Sequence, residues 1–204
     1  MPNRLVEFVY DYASPWSYLA SAILDRQLPG ATVAWRPVYL RGFPAFSGGL
    51  TYSPDRLRYL GQDLLRCTKY WGVPLKYPSA FPINGLQAVR AALWVLEHEP
   101  HRFPAYHEAM FRAAWAEDRD IARAEVVVGV AAEAGLDPGT IRAGLESPEI
   151  KERLKQKTRD ALARGAFGVP TFFLGDEMFF GHDRMDYVRR AREAEASSSP
   201  GSSP

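Results

Sequence analysis

The stretch Tyr10-Asp11-Tyr12-Ala13-Ser14-Pro15-Trp16-Ser17-Tyr18-Leu19-Ala20 constrains this chain more than any other. Before it runs Leu5-Val6-Glu7-Phe8-Val9-Tyr10, an apolar segment of strand-forming residues. After it, residues 16–28 carry a helical pattern that stops at Pro29-Gly30. Proline suits a first helical position, where its missing N–H costs nothing, and serine suits the cap before it. A strand therefore hands Ser14 to a helix N-terminus, where unpaired N–H groups and the helix dipole favour an anion. A lone Ser-Pro would mean only a capped helix. Here serines stand at positions 14 and 17, spaced as the two sulfurs of a Cys-x-x-Cys would be.

The strand at 5–10, the helix at 16–28 and a strand at 32–39 read as a βαβ unit with parallel strands. Arg41-Gly42-Phe43-Pro44-Ala45-Phe46-Ser47-Gly48-Gly49 then leaves the sheet. From about 53 to 146 only helical patterns follow: 54–71, closed by Gly72 and Pro74; a helix capped by Asn84; one at 106–115; one at 121–134; and a short one opened by Asp137-Pro138. Ser147-Pro148-Glu149 starts another helix, which runs to Arg164-Gly165. Residues 167–174 return to the sheet, and a turn at 174–178 predicts an antiparallel hairpin of 171–174 with 178–180. A last helix covers 184 to about 193, with Asp183 as its cap, and the Ser-rich tail at 196–204 is expected to be disordered.

At 204 residues, 47% hydrophobic and 13% aromatic, the chain can bury a sizeable core. A formal net charge of +1 gives no electrostatic reason to expect nucleic acid or an anionic membrane. No run approaches the ~20 apolar residues of a membrane span. The N-terminus leads straight into the first strand, so no secretory signal is expected, and the single cysteine, Cys67, excludes an intrachain disulfide. A cytoplasmic protein is expected. No Gly-x-Gly-x-x-Gly, P-loop or zinc spacing is present, and His98, His101 and His107 read as surface residues.

Asp11, Ser14-Pro15 and Ser17-Tyr18-Leu19-Ala20 resemble the signature of 2-hydroxychromene-2-carboxylate isomerases and kappa-class glutathione transferases. These are DsbA-like members of the thioredoxin superfamily, and the resemblance runs from about Leu5 to Arg190. It implies an α/β thioredoxin-like fold, residues 1–44 and 148–195, with an inserted all-helical domain at 45–147. It also implies a homodimer, and glutathione as the source of the thiol that the serines at 14 and 17 do not provide. Pro170, in Gly168-Val169-Pro170-Thr171, would be the cis proline beside the first helix, and the Val169 main chain would clamp the cysteinyl part of glutathione. Asp183, in Gly181-His182-Asp183-Arg184, would hold the γ-glutamyl amino group, and His182 stands where serine is common. Asn84, in Phe81-Pro82-Ile83-Asn84, would contribute to the glutathione site or serve as a plain helix cap.

Arg36 and Arg41, which leave the second strand with Tyr39 at its C-terminal end, are candidates for a carboxylate of the second substrate, with Lys76 and Tyr77 of the same standing, though all four read at least as well as surface residues. Trp115 reads as core or pocket wall, and Cys67 as a helix-face residue. Serine at positions 14 and 17 rules out dithiol exchange there. Ser14 is expected to stabilise a borrowed thiolate in a glutathione-dependent isomerase acting on an electrophile or aromatic-degradation intermediate. A kappa-like transferase or peroxidase, and a cysteine-less peptide-binding module, are the alternatives.

Overall fold

The computed structural model describes residues 5–49 and 52–198. Four strands form one sheet in the order β2-β1-β3-β4, from β1 (Val6–Tyr10), β2 (Val33–Pro37), β3 (Thr171–Leu174) and β4 (Glu177–Phe180). β1 pairs with β2 in parallel and with β3 antiparallel, and β3 and β4 form the expected hairpin. Helix α1 (Pro15–Gln27) joins β1 to β2. Between the sheet halves lie α2 (Pro54–Trp71), α3 (Leu86–His98), α4 (Phe103–Trp115), α5 (Ala124–Glu133) and α6 (Pro138–Glu146). Helix α7 (Pro148–Ala163) leads back to β3, and α8 (Met185–Ser198) follows the hairpin.

Period-2 alternation in β1 divides its side chains between two layers. Val6, Phe8 and Tyr10 join a core that runs through α1, α3, α4, α5 and α6, whereas Val9 packs with Phe173, Val169 and Ala161 of α7. The inserted helices and the sheet thus share one apolar interior. Trp115, fully buried, closes it and donates from Nε1 to the Tyr12 carbonyl at 2.8 Å.

Several boundaries move from their sequence-based places. α4 opens at Phe103, with Pro104 in its first turn. α5 opens at Ala124, because Asp120 Oδ1 accepts from Ala122 N–H and forms a turn first. Asn84 is not the cap of α3: Gly85 is, and Asn84 Oδ1 accepts from Leu86 N–H at 3.2 Å. Asp183 lies inside a 3-10 turn, His182–Arg184, one turn before α8. α8 continues to Ser198, past the expected start of the tail, and the rest of that tail lies outside the described residues.

His107 is a correction of another kind. It is buried, not superficial, with 4% of its surface exposed, and rings of Tyr10, Tyr12, Trp35, Phe103 and Phe111 surround it. Nδ1 lies 3.0 Å from Tyr12 Oη and Nε2 2.9 Å from Ser21 Oγ, so a neutral imidazole satisfies both hydroxyls. Burial pushes its pKa from 6.5 down to about 3. A lowered imidazole pKa stabilises the fold fully above 6.5 and ever less as pH falls towards the folded value. The stability advantage of the native protein over His107→Gln is therefore expected to shrink by about 3 kcal/mol between pH 7.5 and pH 4. Urea unfolding at both pH values measures it, and an advantage independent of pH would contradict a buried neutral His107.

Candidate active site

β1 ends in Tyr10, and the loop Asp11–Ala13 turns the chain into α1. Ser14 caps that helix as its sequence predicts: Oγ accepts from Ser17 N–H at 3.1 Å, and Pro15 takes the first helical position. The Ser14 hydroxyl, 3% exposed, donates to the Val169 carbonyl across 3.4 Å. That length is beyond the usual range for O–H···O, so the proton is weakly held. Ser17, fully buried, has a hydroxyl without a partner and does not reach the cleft. The two serines are not equivalent.

The Val169–Pro170 peptide bond is cis, as the resemblance implies, and so is Phe81–Pro82, which the sequence reading did not foresee. The β3 ladder begins at Thr171, so Val169 stays outside it beside Ser14. The Pro170 carbonyl accepts from Gly181 N–H at 2.9 Å, which docks the His182–Arg184 turn against the same corner. Gly181 adopts φ 102, a left-handed conformation that favours glycine, and a Cβ there would stand 2.5 Å from Asp183 Oδ1.

These pieces line a cleft of about 340 Å³ between the sheet corner and α2. Its walls are mainly apolar, with Phe46, Leu57, Leu60, Phe81 and Phe180 among them. Trp16 and His182 stack face to face at its edge, with centroids 4.7 Å apart and planes 7° from parallel. Burial lowers the His182 pKa against the pull of Asp183 and Asp63, so the imidazole is neutral at pH 7. Asp183 borders the cleft with its carboxylate 2.7 Å from Arg184 Nη1.

Asn84 stands behind the wall. Its Oδ1 is occupied by Leu86 N–H and, at 3.3 Å, by the Tyr39 hydroxyl, and it is not among the lining residues. Of the basic candidates, Arg41 borders the cleft and donates weakly to Pro82 O at 3.4 Å. Arg36 does not: its Nε lies 2.6 Å from Glu7 Oε2, in a network completed by Arg164 on the α7 side of the sheet. Lys76 faces Asp118 at 3.7 Å, likewise away from the cleft, while Tyr77 lines it. The sequence reading also missed residues. Tyr52 with Arg56 stacked 4.1 Å above its ring, Asp63 and Phe180 all line the cleft. For Arg56 and Asp63 the only sequence signal was an amphipathic α2, which does not say what its inner face meets, and Tyr52, just before α2, and Phe180, at the end of β4, gave none. Asp11 lines it too, fully buried, and its signal was an acid placed directly after an apolar strand.

A thioredoxin sheet with helical insert, a cis proline beside the first helix and serine at the leading position of the x-x motif defines a DsbA-like protein without redox cysteines. The chain belongs to the DsbA-like thioredoxin domain family, whose model matches residues 5–192. Within it, the chain is 31% identical to a 2-hydroxychromene-2-carboxylate isomerase of Pseudomonas putida, over 92% of this chain and 93% of that one. It is 28% identical to the human glutathione S-transferase kappa 1, over 91% and 89% of the two chains. A solved structure of a 2-hydroxychromene-2-carboxylate isomerase superposes with a TM-score of 0.80 at 30% identity, covering 96% of this chain and all of the other. Among the described residues no group of side chains suits a metal ion, and no helix is long and apolar enough to cross a membrane.

Proposed function

We propose that the protein is a glutathione-dependent isomerase of the 2-hydroxychromene-2-carboxylate type. The observation that carries this is the Ser14 hydroxyl: buried at the start of α1, it holds its proton on Val169 O by a 3.4 Å bond that a better acceptor can replace. The residues fit a thiol tripeptide. Val169 offers a main chain outside the sheet ladder, the cleft is apolar where the thiol would lie, and Asp183 sits at its edge for an ammonium. Glutathione would supply a thiolate that adds to and leaves a conjugated carbon, freeing the adjoining bond to rotate.

Ser14 Oγ–H turns from Val169 O to the sulfur and, with the α1 dipole, favours its anion. Val169 aligns the cysteinyl backbone, and His182, kept neutral and flat against Trp16, bounds the γ-glutamyl end. Arg41 and Arg56 provide positive charge for a substrate carboxylate, and Phe46, Tyr52 and Phe180 a surface for a flat ring. The similarity to kappa-class transferases supports a second reading, conjugation or peroxide reduction from the same half-site. Cytoplasmic residence and a homodimer go with either reading, and light scattering tests the dimer.

Calorimetric titration with reduced glutathione is the test. Binding is expected, and Asp183→Asn is expected to weaken it roughly two- to fivefold, as for one partly exposed ion pair. Absence of binding at millimolar glutathione would reject both enzyme readings and leave the peptide-binding module. With binding in hand, turnover of a hydroxychromene carboxylate against conjugation of an electrophile separates isomerase from transferase.

A further inference from the structure

Asp11 is the one carboxylate in the cleft wall with no exposed surface, and none of the steps above uses it. Oδ1 accepts from Ala13 N–H at 2.9 Å, in the loop that presents Ser14. Oδ2 accepts from Leu40 N–H at 2.7 Å, where the chain leaves the sheet after β2. Gly85, at the start of α3, lies so close that a Cβ there would be 2.0 Å from Oδ1. The next residue after Leu40, Arg41, reaches the Pro82 carbonyl at the cis Phe81–Pro82 bond. Three segments far apart in the sequence therefore meet on one carboxylate.

We infer that Asp11 is the positioning residue of the cleft, its two oxygens setting the spacing between the Ser14 loop, the exit from β2 and the start of α3. Both N–H donors need an acceptor oxygen, and only the ionised carboxylate offers two equivalent ones. Protonation puts an O–H opposite one of the N–H groups, and that contact loosens. The groups facing Asp11 decide where this occurs. Arg41 lowers its pKa; Tyr10, Tyr12 and Tyr39 are neutral, and Gly85 brings no charge from α3. Burial outweighs the two N–H bonds from Ala13 and Leu40, together with Arg41, and raises the carboxyl to about 6. The cleft is thus fully clasped above neutral pH and slackens as pH falls through that value. None of this depends on which ligand the cleft takes.

The test follows the amide resonances of Ala13 and Leu40 in the isotope-labelled full chain from pH 4.5 to 8. In the native protein both amides are expected to shift together along one titration curve with a midpoint near 6. In Asp11→Asn, whose amide meets one N–H with another donor, both curves should be flat. Hydrogen exchange at one of the two amides should be at least tenfold faster at pH 7.5. Independent midpoints, or a variant with unchanged exchange, would overturn the inference. If Asp11→Asn does not fold, Arg41→Ala replaces it. Withdrawing that positive charge must move the shared midpoint upward, and an unmoved midpoint overturns the inference equally.

Discussion

Replacing Ser14 by alanine is expected to raise the thiol pKa of bound glutathione by roughly one to two units, with turnover at neutral pH falling about 10- to 100-fold. The magnitude is that of one hydrogen bond to a charged acceptor, about 1.5–3 kcal/mol. A free thiol of this kind, with a pKa near ~8.5, is mostly protonated at pH 7, so a loss of stabilisation passes directly into a loss of anion. Alanine also removes the α1 cap, at a cost of about 1 kcal/mol in folding stability. The two effects separate in measurement. Thiolate absorbance in the ultraviolet, titrated on the saturated protein, reports the pKa, and urea unfolding reports the cap. A Ser14→Ala protein that binds glutathione with an unchanged thiol pKa would remove Ser14 from the chemistry and leave it a cap.

Gly85→Ala is expected to cost about 2–4 kcal/mol of stability, more than a methyl group usually does at a helix start. The new Cβ would stand 2.0 Å from Asp11 Oδ1, 3.1 Å from Cγ and 3.2 Å from Ala13 N. The obstacle is not the loose end of a long side chain. Asp11 is held at both oxygens, so giving way means surrendering the bond to Ala13 or to Leu40. A double-mutant cycle with Asp11→Ala identifies the cause, because removing the carboxylate should recover much of the loss. Strictly additive effects would mean that the alanine clashes elsewhere.

Much of the scaffold was legible because its signals are local. Ser14-Pro15, Ser53-Pro54, Asp137-Pro138 and Ser147-Pro148 each start a helix as cap and first residue, and each serine or aspartate accepts from the N–H three residues on. The hairpin was likewise written in a short run, whereas the cis bond at Pro170 was implied by the family resemblance and not by its neighbours. The misplacements share a different cause. His107 looked like a surface histidine, since its partners Tyr12 and Ser21 lie 95 and 86 positions away. Asn84 looked like a cap by its chemistry, but the adjoining position must be glycine because Asp11 occupies the space beside it. Arg36 looked available to substrate until the sheet brought Glu7 to it from the neighbouring strand. In each case a partner remote in sequence settled what a side chain does.

The shared interior of sheet and insert has a consequence for how such a chain changes over time. The loop that presents Ser14 hangs from the inserted helices at two points, its Tyr12 carbonyl on Trp115 and its Tyr12 hydroxyl on His107, both in α4. The insert is therefore no exchangeable module bolted to a frame. It is the foundation under the loop, and a new specificity grafted by swapping helices would have to carry both attachment points with it. Drift in α4, far along the chain from the motif, is drift in the aim of Ser14.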